Sequence, residues 1–119
     1  MILTLDHVLI FVPSVRAAAQ WYSTVLQTPA SFRDENLASI SIGDAKLSFH
    51  PADAKGSAGR GGQVAYWRVA SLTEAMRAFE AAGASLYRGP LVIDSREGIC
   101  QMADPFGNLV GLIGSYNGA

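Results

Sequence analysis

The feature that most constrains this chain is an internal repeat with a period of 57 residues. Three features recur at this spacing: the end of an apolar strand-like run, a serine suited to cap a helix, and an aromatic residue within that helix. The pairs are Val12 with Val69, Ser14 with Ser71, and Tyr22 with Phe79. A unit that occurs only twice is too short a series for a solenoid, so the repeat predicts a pseudo-symmetric pair of modules.

The first module has the pattern of a strand, a helix and three further strands. β-branched, aliphatic and aromatic residues favour a strand over residues 2–12. Pro13 and Ser14 end this strand and cap a helix over residues 15–26, where apolar residues recur at helical spacing. Turn residues divide the remainder into three short strands, which we place at residues 30–32, 38–42 and 46–49.

The second module repeats this order after a connector rich in glycine and serine, at about residues 55–62. It begins with a strand over residues 63–69. Ser71 and Glu74 form a capping box at the start of a helix that runs through about Ala82. Three more strands are predicted at residues 85–88, 98–103 and 109–113, the last two joined by the turn at residues 104–108.

The two halves together predict the fold class. We expect a single α+β domain over residues 1–119, built from two βαβββ modules at about residues 1–54 and 63–115. Each module has a helix on one face of its sheet, so the other face needs a partner or a ligand. Binding is therefore expected on the two uncovered faces.

Composition excludes several classes of partner. Nine Lys and Arg residues against ten Asp and Glu give a formal net charge of -1, which offers no field to attract nucleic acid or an anionic membrane. The one cysteine rules out an intrachain disulfide, and no apolar run reaches the roughly 18 residues of a membrane span. The N-terminus lacks the basic region of a signal peptide. We expect a soluble, cytoplasmic protein with a small-molecule ligand.

Three segments carry a recognisable pattern: residues 5–8 (LDHV), the helix with Trp21, Tyr22 and Leu26, and residues 103–109 (ADPFGNL). With the duplicated βαβββ order over about residues 4–115, this pattern resembles the vicinal oxygen chelate superfamily. That family covers glyoxalases, bleomycin-resistance proteins and ring-cleaving dioxygenases. The resemblance implies that the curled sheets form a cup, and it implies a homodimer with two symmetric sites.

The resemblance also implies metal ligands, and most of them are missing here. Metal-binding members offer one ligand from the first strand and one from the last strand of each module. The matching positions are His7 and Lys46 in the first module, and Val64 (or its neighbour Gln63) and Gly111 in the second. One imidazole does not hold a divalent ion against water, so we predict no metal and no cofactor. Metal-dependent glyoxalase or dioxygenase activity is not expected.

Strand alternation predicts which side chains share the concave face. The predicted ligand-binding residues are His7, Leu9, Phe11, Lys46, Ser48, His50, Val64, Tyr66, Arg68 and Gly111. An apolar pocket with a few convergent polar groups is typical of a small-molecule site. Arg68 lies in an otherwise apolar strand, where a buried guanidinium needs an anionic or carbonyl partner, either from a ligand or from an Asp or Glu of the chain itself.

The polar candidates also have purely structural interpretations. His7 would then be a hydrogen-bonded core histidine, His50 a solvated residue at a strand end, and Lys46 a side chain that extends to water. Cys100 has no basic neighbour in sequence, so it is interpreted as a small apolar residue.

Four functions are open on the sequence alone. The favoured one is a metal-independent protein that binds an apolar or aromatic ligand. The second is a lyase, isomerase or dioxygenase-like enzyme without the family's metal, in which His7 or His50 is the general base and Arg68 or Lys46 anchors a carbonyl or carboxylate. The third is an enzyme whose atypical metal is held by His7 and His50. The fourth is a scaffold or sensor module whose own side chains fill the cup.

Overall fold

The computed structural model describes residues 1–118 of the chain. The polypeptide divides into two compact units, Met1–Ala58 and Gly59–Ala119, each with one four-stranded sheet and one helix. The boundary lies inside the connector at residues 55–62. In the described part of the chain, neither helix is long and apolar enough to cross a membrane.

The first unit has the predicted βαβββ order. Its elements are β1 (His7–Val12), α1 (Val15–Leu26), β2 (Ser31–Asp34), β3 (Leu37–Ile42) and β4 (Ala45–Pro51). The sheet order is β1-β4-β3-β2, with β1 parallel to β4 and the other pairs antiparallel. The Ser14 hydroxyl accepts a hydrogen bond from the backbone N–H of Ala17 at 3.2 Å, which is the predicted helix cap.

The core of the first unit lies between α1 and one face of its sheet. Tyr22 from the helix and Phe49 from β4 are both buried, and their ring centroids are 5.4 Å apart. Val12, Ile40 and Leu47 complete this layer. Because side chains alternate along a strand, the residues between these positions face away from the helix.

The second unit repeats the same order. Its elements are β5 (Tyr66–Ser71), α2 (Leu72–Ala81), β6 (Ser85–Asp94), β7 (Glu97–Ala103) and β8 (Leu109–Ser115), in the sheet order β5-β8-β7-β6. The Ser71 hydroxyl accepts from the N–H of Glu74 at 3.2 Å, as the capping box predicts. The Asp104 carboxylate accepts from the N–H groups of Phe106 and Asn108, at 2.8 and 2.9 Å, and so holds the turn before β8.

The first strand of each unit begins later than predicted. β1 starts at His7 rather than at residue 2, because its partner β4 begins only at Ala45 and no strand within residues 1–118 pairs with the earlier residues. β5 starts at Tyr66 rather than at residue 63, and it runs directly into α2. The position of a strand end therefore depends on the strand that it pairs with, and an apolar run in the sequence does not predict it.

Strand β6 is longer than predicted, because it continues past Arg88 to Asp94. A Gly-Pro pair is typical of a strand end, but here the strand continues through it. Gly89 adopts a φ of 88°, and the pairing register shifts on either side of Arg88.

Candidate functional site

The uncovered face of the first sheet, called here the first open face, carries the side chains that alternation predicts. Three pairs of neighbours in the parallel β1–β4 ladder lie on it: His7 with Lys46, Leu9 with Ser48, and Phe11 with His50. The alternate residues of these strands include the buried Val12, Leu47 and Phe49 on the helix side. The structure therefore brings together the six first-module residues proposed as ligand contacts.

A cavity of about 520 Å³ lies on the first open face. Its apolar lining comes from Leu9, Phe32 and Leu37. Its polar lining includes His7, Lys46, Ser48 and His50, together with Arg33 at the β2 edge. A ligand in this cavity would meet an apolar surface with a few polar groups around it.

His7 is held by the carboxylate of its neighbour Asp6. The His7 Nδ1 atom lies 2.7 Å from Asp6 Oδ2, and this hydrogen bond, with the charge of His7, lowers the pKa of the Asp6 carboxyl. The ionised carboxylate accepts, so Nδ1 donates and neutral His7 has its lone pair on Nε2. The His7 side chain is 43% exposed, so the interpretation as a core histidine is wrong.

His50 has the same tautomer for a different reason. Its Nδ1 lies 2.8 Å from the carbonyl oxygen of Pro51, which only accepts, so Nδ1 is the donor and Nε2 the acceptor. The ring also meets Phe11 edge to face, with centroids 5.7 Å apart at 76°. These two contacts fix His50 at the cavity wall.

A row of serines crosses the first open face, and only Ser48 among them is a predicted ligand-binding residue. Ser48 pairs with Ser39 across β3 and β4, and Ser39 pairs with Ser31 across β2 and β3. Ser48 is 7% exposed, and its hydroxyl makes no hydrogen bond to any of residues 1–118. The alternation of serine with apolar residues along β3 was the signal that could have placed Ser39 here.

The uncovered face of the second sheet, the second open face, is occupied by its own side chains. The Tyr66 ring lies over Gly111, where an added Cβ would come within 2.7 Å of two ring atoms. Gln101 Nε2 donates to Tyr66 Oη at 2.9 Å. Arg68 forms an ion pair with Glu97 and its side chain is 63% exposed, so the expectation of a buried guanidinium is wrong.

The donor set does not fit the metal that the resemblance implied. The sheet neighbour of His7 is the cationic Lys46, and Gly111 has no side chain. The ladder partner of Gly111 is Tyr66, while Val64 lies two residues before β5. Across residues 1–118, no group of three or more His, Cys, Asp or Glu side chains is placed to hold a metal ion.

Cys100 is a core residue. It is 2% exposed, and burial raises the pKa of its thiol to about 11, with a smaller contribution from the charge of Glu80. The thiol is therefore protonated at neutral pH and unsuited to nucleophilic chemistry, which confirms its interpretation as an apolar residue.

Comparison with solved structures shows the same fold in several bacterial proteins. A protein of Agrobacterium tumefaciens solved by solution NMR matches with a TM-score of 0.78 and 17% identity, over 97% of this chain and 99% of that one. A glyoxalase/bleomycin resistance protein/dioxygenase family enzyme from Burkholderia phytofirmans PsJN matches with a TM-score of 0.74 and 17% identity, over 96% and 100% of the two chains. A glyoxalase/bleomycin resistance protein from Albidiferax ferrireducens T118 gives 0.72 and 15%, over 94% and 98%.

Comparison by sequence gives the family. No curated protein matches the chain. The model of the Glyoxalase/Bleomycin resistance protein/Dioxygenase superfamily matches residues 4–112, which is nearly the whole chain. The chain therefore belongs to the Glyoxalase/Bleomycin resistance protein/Dioxygenase superfamily.

Proposed function

We propose that this protein binds a small molecule with an apolar or aromatic body, without a metal, in the cavity on the first open face. The observation that carries the proposal is the cavity itself, whose volume of about 520 Å³ falls in the usual range for ligand pockets, about 300–1,000 Å³. Its mixture of apolar wall and few polar groups is also typical of such pockets.

The exposed apolar side chains of the cavity supply the driving force. Leu9 is 37% exposed and Phe32 is 44% exposed, and both line the cavity. Covering such surface with an apolar ligand releases roughly 25 cal/mol for each Å² removed from water. The free hydroxyl of Ser48 and the Nε2 atoms of His7 and His50 would then orient the polar part of the ligand.

Lys46 is the reason for proposing that the ligand binds without a metal ion. This residue lines the same cavity as His7, on the neighbouring strand, and its positive charge opposes the binding of a cation. We also propose that the protein is a homodimer and that it is located in the cytoplasm.

A thermal-shift screen with aromatic and glycopeptide-like compounds tests the binding function. We expect at least one compound class to raise the melting temperature, since a ligand at 100 times its Kd stabilises a fold by about 2.7 kcal/mol. The variant Leu9→Asn places an amide on the cavity wall and should abolish most of this shift.

The matched control is Leu91→Asn, which changes an exposed leucine of β6 that does not line the cavity. It should leave the ligand-induced shift unchanged. If no compound class moves the melting temperature, or if both variants respond like the parent protein, the proposed function is wrong.

A second candidate function is proton transfer in the same cavity, and the Asp6–His7 hydrogen bond favours it. The carboxylate orients the imidazole and leaves Nε2 as the basic atom. Lys46, the ladder neighbour of His7, is placed to stabilise negative charge on the oxygen of a carbonyl compound. Removal of a proton from the carbon beside that carbonyl is the reaction that this arrangement supports.

Deuterium exchange at that carbon, followed by NMR for carbonyl compounds found in the screen, tests this candidate. We expect His7→Gln to slow the exchange by about 100-fold or more, the usual contribution of a general base. Leu91→Asn, which changes a residue outside the cavity, is the control and should keep the rate. Exchange that proceeds equally with and without the protein rules the candidate out.

A further inference from the structure

The second unit has its own cavity, of about 280 Å³, where the connector meets β6 and β7. Its lining includes Arg60, Gln63, Tyr87, Arg88 and Gln101. Two of these residues are arginines, and no acidic residue among residues 1–118 lines the cavity. The cavity is therefore positively charged.

The chain does not neutralise these two charges. Arg68 of the same unit pairs with Glu97, whereas neither Arg60 nor Arg88 pairs with a carboxylate anywhere in residues 1–118. Arginine keeps its charge at all physiological pH values. Two like charges that face one small cavity repel each other, and a bound anion would remove that repulsion.

Local contacts position Arg60. The N–H of Gly59 donates to Asn108 Oδ1 at 3.1 Å, which ties the connector to the turn before β8. The guanidinium carbon of Arg60 lies 5.1 Å from the centroid of the Tyr87 ring. This cation–π contact uses the face of the guanidinium and leaves the N–H groups at its edge available for a ligand.

Arg88 enters the cavity from the sheet. It is the ladder partner of Gln101, so it lies on the second open face. Gln101 uses its Nε2 to donate to Tyr66 Oη, which fixes the amide beside the arginine. Arg60 from the connector and Arg88 from the sheet thus line the same cavity.

We propose that Arg60 and Arg88 bind an oxyanion, the carboxylate or phosphate group of a small molecule, in the cavity of the second unit. Guanidinium groups bind both kinds of oxyanion through paired N–H donors. The volume is several times the roughly 30 Å³ of a water molecule, which leaves room for a phosphate ion or a small carboxylic acid. All residues that line this site belong to the second unit.

Titrations of ¹⁵N-labelled protein at constant ionic strength test the proposal, with inorganic phosphate and with benzoate as separate probes. We expect saturable shifts of the amide signals of Gly62, Gln63 and Gln101. Arg60→Gln and Arg88→Gln should each weaken binding by about tenfold or more, the usual effect of losing a charge-assisted hydrogen bond. Arg77→Gln, which changes an exposed arginine of α2, is the matched control and should bind like the parent protein.

Saturation by either probe supports the proposal, and the probe that saturates shows which oxyanion the site takes. Both glutamine variants should keep the parent's melting temperature, because neither arginine makes an ion pair. Arg60→Lys and Arg88→Lys keep the charge and lose the paired donors, so they should also weaken binding if the glutamine variants fail to fold. The proposal is overturned if neither probe saturates, or if Arg60 and Arg88 variants bind as tightly as Arg77→Gln.

Discussion

Replacing Phe49 by alanine should lower the free energy of unfolding by about 3–5 kcal/mol, the usual cost of deleting a buried aromatic ring. Phe49 is fully buried on β4, and its ring centroid is 5.4 Å from that of Tyr22 on α1. Its ladder neighbours are Ile10 on β1 and Ala38 on β3. The ring therefore joins the helix to the centre of the sheet, and its loss leaves a cavity that the rigid sheet does not close.

Urea denaturation of the variant and the parent protein measures this loss. The matched control is Phe32→Ala, since Phe32 is 44% exposed and the guanidinium carbon of Arg16 lies 5.6 Å from the centroid of its ring. That variant should lose no more than about 1 kcal/mol. Equal losses in the two variants would contradict the placement of the first unit's core.

Replacing Gly114 by alanine should cost about 3 kcal/mol, through crowding rather than through a cavity. Gly114 pairs with Val69 in the parallel ladder of β5 and β8. A Cβ at Gly114 would lie 2.8 Å from Val69 Cγ2 and closer still to the Val69 carbonyl oxygen. Backbone cannot yield to a methyl group as a flexible side chain can, so the ladder between the two strands has to separate.

Gly61→Ala is the control for this prediction, because a Cβ there would meet nothing within 4 Å. It should change the free energy of unfolding by no more than about 0.5 kcal/mol. A Gly114→Ala variant that unfolds at the same urea concentration as Gly61→Ala would show that β5 and β8 do not pair in this register.

Local signals in the sequence predict local structure well. The predicted helix over residues 15–26 coincides with α1, because Ser14 supplies the cap and the apolar spacing supplies the buried face. The βαβββ order of both units and the side-chain faces of β1 and β4 follow from the same kind of signal. These are properties of short segments, so they need no knowledge of neighbouring strands.

Features that depend on distant partners could not be predicted in this way. Arg68 and Glu97 are 29 positions apart, and nothing near either residue indicates the ion pair between them. The position of Tyr66 over Gly111 depends on the register of β5 against β8. The 57-residue repeat aligns the helix caps of the two units and aligns His7 with Val64. The sheet neighbour of Gly111 is instead Tyr66. The difference arises because β5 runs directly into α2, whereas two residues separate β1 from α1.

We place ligand binding in the cavity on the first open face. A compound that raises the melting temperature can be used to map this site through the amide chemical-shift changes that it causes. We predict that the largest changes fall on Leu9, Ser39 and Ser48, and that they disappear in Leu9→Asn. Changes confined to residues 59–118, or undiminished in that variant, would contradict the claim.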